Sequence, residues 1–256
     1  MVGFKSIMIG AAALAVAAVP ASASAALLTF NLTGNSYLDG TDGNVRTFSA
    51  TSGSTTINVK ATAWRRASAT GSTVQSAYLG AYSNGLGVTN SKEGSGQSGN
   101  SHTVDNKDGF DFIVFQFDQV VEVDQAYFSP YKIGRETDSD ATIMVGNSAT
   151  PFSSGLNFAN WASVDALFNP FQAASGTAGL RDINGLNEQG NLLFVGASFT
   201  DLDKLDGFKL KQLKVNSVTP SAPGPVPEPA TWAMMIAGFG LVGGAMRRRE
   251  RPAALA

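Results

Sequence analysis

The sequence predicts an all-β fold, a single β-sandwich of jelly-roll or galactose-binding-like type with one short helix. Three observations carry that expectation. Short runs of β-favouring residues recur between Gly-, Ser- and Asn-rich breaks. Several of these runs alternate apolar and polar residues with period two. A helical spacing of apolar residues occurs convincingly in one internal stretch, over Asn160 to Phe168.

In order, Ala26 to Thr33 reads as a first strand. Thr55 to Trp64 alternates, with Ile57, Val59 and Ala61 on one face opposite Thr56, Asn58 and Lys60. Val74 to Tyr82 reads as the next strand. The segment from Ser83 to Asn100, SNGLGVTNSKEGSGQSGN, is polar and glycine-rich, which predicts a long surface loop. Phe110 to Phe117, FDFIVFQF, is apolar on both faces and reads as a central strand buried on both sides. The alternation resumes after Asp118-Gln119, with Val121, Val123 and Gln125 against Glu122 and Asp124, and so predicts a hairpin. Ala141 to Gly146, Asn191 to Phe199 and Phe208 to Val218 complete the strands. In the helical stretch, Asn160 is a ready N-cap, and Trp161, Val164, Leu167 and Phe168 are spaced for one apolar face.

Both ends differ from this middle. The start has a basic residue at Lys5, an apolar stretch from Ile7 to Val19, and then Ala21-Ser22-Ala23-Ser24-Ala25. That is the pattern of a secretory signal peptide over residues 1–25, and it implies signal peptidase as a partner. Residues 26–218 would form the exported domain. Residues 219–229, TPSAPGPVPEP, hold five of the ten prolines, which favours an extended linker. The next stretch, 230–246, predicts a transmembrane helix, followed by a basic cytoplasmic tail over 247–256. From Trp232 to Met246 no residue is charged. That run covers about 22 Å as a helix, short against the roughly 30 Å of a bilayer core. Interfacial Trp232 and snorkelling arginines would help to seat it. Gly240 and Gly244 form a GxxxG spacing that permits close helix packing, or reflects small-residue composition alone.

Composition narrows the chemistry. Between the two ends there remain 13 Lys and Arg against 18 Asp and Glu, a charge near −5. No basic face suggests a nucleic-acid partner. There is no cysteine and one histidine, His102. This removes disulfide staples, thiolate sites and multi-histidine metal sites, and leaves stability to the apolar core and any bound ion. No Gly-x-Ser-x-Gly marks a nucleophile to join His102, which reads as solvated, and no catalytic residue is assigned. A glycosidase would need only two carboxylates at a set separation, a pair that sequence does not display.

Asp105, Asn106, Asp108 and Asp111 place hard oxygen donors within seven residues, with Gly109 for a bend. They are the candidate metal ligands, for a structural calcium. Turn chemistry is the competing reading, since Asp and Asn also close loops through their own backbone. Asp201, Asp203 and Asp206 miss the EF-hand spacing, and Asp138 with Asp140 and Asp39 with Asp42 read as turns. Trp64, Tyr78, Tyr82, Tyr127, Tyr131 and Trp161 are the aromatics a sugar-binding surface would draw on.

The tail carries a resemblance. Val226-Pro227-Glu228-Pro229-Ala230, then Trp232 to Met235, then Gly238-Phe239-Gly240 and the arginines are similar to the PEP-CTERM sorting signal. That tail is also known by the name of the C-terminal domain of ice-binding proteins; no regular Thr-x-Thr face in the core supports ice binding. The resemblance implies Pro227, Glu228 and Pro229 as the sorting motif and Arg247, Arg248 and Arg249 as the basic stop signal. It implies an exosortase-type membrane protease as the processing partner. It also implies export to the cell surface or extracellular matrix of a Gram-negative, biofilm-forming bacterium, where extracellular polysaccharide is a potential partner. Gly85 to Val88, His102, Asp105, Asn106 and Asp111 resemble a pattern from the exported cores of such proteins, which names no activity. A structural or adhesive role is the expectation, with a carbohydrate-binding module as the alternative and a glycan-processing hydrolase behind it.

Overall fold

The computed structural model describes residues 25–36, 40–93, 102–176, 179–201, 205–218 and 229–249. The expected signal peptide, residues 1–25, lies outside them except for Ala25. Fourteen strands and two helices are formed among the described residues. They begin with β1 (Leu27–Asn31), β2 (Val45–Ser52), β3 (Thr55–Arg66), β4 (Val74–Tyr82) and β5 (Gly85–Thr89). Next come β6 (Val104–Asp105), β7 (Phe110–Pro130), β8 (Lys132–Ile133), β9 (Glu136–Thr137), β10 (Ala141–Gly146) and α1 (Trp161–Asp165). β11 (Gln172–Ala174), β12 (Gly179–Asp182), β13 (Gln189–Ala197), β14 (Gly207–Ser217) and α2 (Pro229–Arg249) complete the chain. Residues Ala25–Val218 form one compact unit, and α2 lies outside it.

The β class is as expected, but the sheet closes on itself. β3, β4, β5, β14 and β7 pair in sequence, and β7 returns to β3, making a five-stranded closed barrel with extra strands attached. The expected sandwich is therefore replaced by a ring, and β7 is the cause. It runs unbroken for 21 residues. Its first half pairs with β3 and β13, and its second half with β14 and β12. The predicted hairpin at Asp118-Gln119 does not form. Both residues instead serve the neighbouring strand: Asn58 donates to Asp118 through its backbone N (3.1 Å) and Nδ2 (2.7 Å), and Gln119 Nε2 donates to the Thr56 carbonyl (3.3 Å). A register shift against β14 between Val123 and Gln125 then bulges β7. The bulge moves its barrel-facing set from Val121 and Val123 to Ala126 and Phe128.

The second correction is β5. Gly85–Thr89 falls in the stretch expected to be a surface loop, yet all five residues are buried. Glycine here answers a need for close approach. Gly85 has φ +116°, and a Cβ on it would stand 2.3 Å from the Leu210 carbonyl oxygen, beside the Leu210–Leu86 pairing that closes the barrel.

The core splits along β7. Ile113, Phe115 and Phe117 face the barrel interior with Ile57, Val59, Ala61, Leu79 and Val88. Phe112 and Val114, on the opposite face, join Trp64, Met144, Phe158, Val164 and Phe194 in a second cluster. Phe112 stacks on Phe194 at 4.6 Å between ring centroids. α1 covers this second cluster. Asn160 caps it as expected, accepting from the Ser163 N–H at 3.0 Å, and Val164 is buried beneath it with Trp161, Leu167 and Phe168 packed at the edge.

Candidate functional site

The alternation that fills the barrel with Ala61, Ala63, Ile113 and Phe115 also carries Arg65 on β3 and Asp111 on β7 to the same interior face. These two are direct cross-strand neighbours. Gln75 precedes Ala77 and Leu79 on β4 by the same step of two, and Asn90 follows Leu86 and Val88 of β5. One end of the barrel is therefore closed by a polar layer. Asn90 Nδ2 donates to Asp111 Oδ1 (3.0 Å), and Arg65 NH1 donates to Gln75 Oε1 (3.3 Å). Arg65 Nε donates to the Asp108 carbonyl (2.6 Å). The guanidinium passes so close to Gly109, at φ +120°, that a Cβ there would lie 2.4 Å from Nε.

Three carboxylates meet in this layer. One oxygen from each of Glu93, Asp105 and Asp111 lies within 4.8 Å of the others. Asp111 is wholly buried and Asp105 is 1% exposed. Asp105 is held by the Thr103 hydroxyl (2.7 Å) and the Lys107 N–H (3.0 Å), and Glu93 accepts from the Asn90 N–H (2.8 Å). Asp111 Oδ2 is buried with no hydrogen-bond partner. Burial raises all three: Asp105 to about 6, Glu93 to about 8 with help from the Asp105 charge, and Asp111 well above the carboxylate range, with Asp105 and Glu93 adding to it.

The structure thus brings together two of the four residues singled out as ligands, Asp105 and Asp111. Asn106 turns to Asp206, donating from Nδ2 to Oδ2 (2.9 Å) and accepting the Asp206 N–H (3.0 Å). The Asp108 side chain is exposed, and its backbone carbonyl serves Arg65. Glu93 and Asn90 went unnoticed because both sit in the stretch read as a surface loop. The signal that was available is Asp111 itself, a carboxylate inside a strand predicted to be buried on both faces.

Other expectations resolve locally. His102 is half-buried, with Nδ1 2.6 Å from Thr89 Oγ1 and its ring 5.3 Å from that of Tyr82, so it is packed where a solvated side chain was expected. Asp206, raised to about 8 mainly by burial, accepts from the Ser198 N–H (2.9 Å). Asp138 accepts from the adjacent Ser139 N–H (2.8 Å), whereas Asp140 accepts from the distant Gly176 N–H (2.7 Å), a link between segments where a local turn was expected. Asp203 and Asp39 lie outside the described residues. Of the six aromatics named, Trp64 and Tyr78 are buried and Tyr127 is the exposed one. Trp161 lines a groove of about 540 Å³ with Arg66, Asp165, Asn169, Phe171 and Thr200, and the Arg66 guanidinium lies 3.8 Å from the Trp161 ring.

In the tail, Pro229 opens α2, where a missing N–H costs nothing, and the helix extends through Arg247, Arg248 and Arg249. Pro227 and Glu228 lie outside the described residues. A family model for the PEP-CTERM protein-sorting motif matches residues 225–249. The chain carries a PEP-CTERM sorting motif. No curated protein and no solved structure matches the chain. The PEP-CTERM motif implies export and membrane-anchored sorting, with exosortase as the processing enzyme. Among the described residues no helix is long and apolar enough to cross a membrane. The transmembrane helix expected over 230–246 is therefore not found among the described residues.

Proposed function

We propose that the protein is a non-enzymatic component of the cell surface or extracellular matrix, with a structural or adhesive role, delivered by exosortase through its tail. The observation that supports this most is the sorting motif over residues 225–249, joined by a proline-rich stretch to a compact β unit. Proline fixes φ and removes an N–H, so Pro227-Glu228, ahead of the helix that Pro229 opens, suits presentation to a protease as an extended segment. A short helix that ends in arginines fits a tail that engages the membrane only until it is processed. Replacing Pro227, Glu228 and Pro229 by alanine should leave nearly all of the chain as membrane-associated precursor, read by immunoblot of cell fractions. Processing at the wild-type rate refutes the assignment.

A second reading, a carbohydrate-binding module, draws on the groove beside α1. Phe171 is 48% exposed there, next to Trp161 and the amide of Asn169, an arrangement of apolar faces with convergent polar groups. Binding of the full chain to a glycan array, lost in Phe171→Ala, would establish it. Silence across the array removes it.

A further inference from the structure

The carboxylate layer at the barrel end has a second property that the sorting role leaves unused. Glu93, Asp105 and Asp111 come from three separate segments, and one oxygen of each converges within 4.8 Å of the others. Asp111 Oδ2, fully buried and without a partner, points to a missing positive ligand, because an unpaired buried carboxylate oxygen is costly.

The spacing fits one class of ligand. Oxygens bound at 2.3–2.6 Å from a calcium ion lie at most about 5 Å apart, and the three here lie within 4.8 Å. The donor set is all oxygen, with no cysteine in the chain and the one histidine packed against Thr89 and Tyr82. Such a set selects a hard cation. Magnesium keeps several waters and uses one or two carboxylates, whereas calcium accepts larger sets of protein oxygens. Charge agrees: once a bound cation displaces their protons, three carboxylates beside Arg65 leave a deficit that one divalent ion neutralises.

We infer that Glu93, Asp105 and Asp111 form a structural calcium site at the barrel end. The ion ties the residues that follow β5 to β6 and to the start of β7, giving the cysteine-free domain a cross-link where other exported domains use disulfides. The site does not depend on the surface role proposed above.

The test uses the full chain in mild detergent, stripped of metal with a chelator and melted at pH 7.5. Adding 10 mM calcium should raise the melting temperature by roughly 3 to 6 °C for a millimolar-class extracellular site. Glu93→Gln and Asp111→Asn should each abolish at least half of that rise. Metal-free Asp111→Asn should melt no lower than the metal-free wild type, because Asn keeps the shape and has neither to take up a proton nor to bury a charge on folding. No rise in the wild type overturns the inference. So does a full rise in both variants, which would put the ion elsewhere. An equal rise with 10 mM magnesium overturns the assignment to calcium.

Discussion

The tail and the barrel end of this protein encode information in opposite ways. The tail is read along the chain: proline-bracketed glutamate, apolar run, arginines, all in one order within residues 225–249. The barrel end is read across the chain, from Arg65, Gln75, Asn90, Glu93, Asp105 and Asp111, which only strand pairing brings together. A motif that a protease recognises as an extended segment must be local. A buried polar layer has no such requirement, and its members gain their meaning from low dielectric and from one another.

The sharpest way to break this comparison is to cross its two halves. Alanines at Pro227, Glu228 and Pro229 should abolish processing while leaving the melting temperature of the β unit within 1 °C or so, since surface changes away from the fold are nearly neutral. A large loss of stability would mean that the tail belongs to the fold. The next largest effect runs the other way. Gly85→Ala places a Cβ against the Leu210 backbone at a positive φ, and should cost about 2–4 kcal/mol in urea unfolding without changing tail processing in the molecules that fold. A cost below about 0.5 kcal/mol would show that ring closure at Leu210–Leu86 is soft.

The smallest effect is a pH dependence near the same closure. Lys209 of β14 is packed over Tyr82 (3.9 Å) and Tyr131 (4.8 Å), and burial lowers it to about 8 from an ordinary 10.5. The folded state thus releases this proton before the unfolded state does. The cost of holding the charge is fully present below pH 8 and is relieved as pH rises toward 10.5. The Lys209 contribution should therefore rise between pH 7.5 and 9.5, against the opposite trend of Glu93 and Asp206, so the urea midpoint of Lys209→Met should gain less, or fall further, than that of the wild type over this range. An equal change in the variant would assign the effect to another group.

Legibility followed the same division. β3, β4, β10 and the first half of β7 were readable because period-two patterns and apolar runs state which faces are buried. Asn160 was readable because an N-cap is a local hydrogen bond. β5 was misread because glycine signals loops on average, yet here it serves the approach of two backbones. The hairpin at Asp118 was misread because polar residues usually mark a turn, whereas these sit where one long strand passes from one set of neighbours to another. Glu93 and Asn90 were lost with the loop that was expected to hold them.

By itself, then, the sequence determined the sorting motif, the β class and the buried faces of its strongest strands. Each of these depends on residues within a few positions of one another. Only the tertiary structure decided that β7 closes a barrel, that a glycine-rich stretch is core, and that Glu93 joins Asp105 and Asp111. The reason is that hydrogen-bond registry and burial are set between segments far apart in the chain, and no local pattern records which partner a strand end will meet.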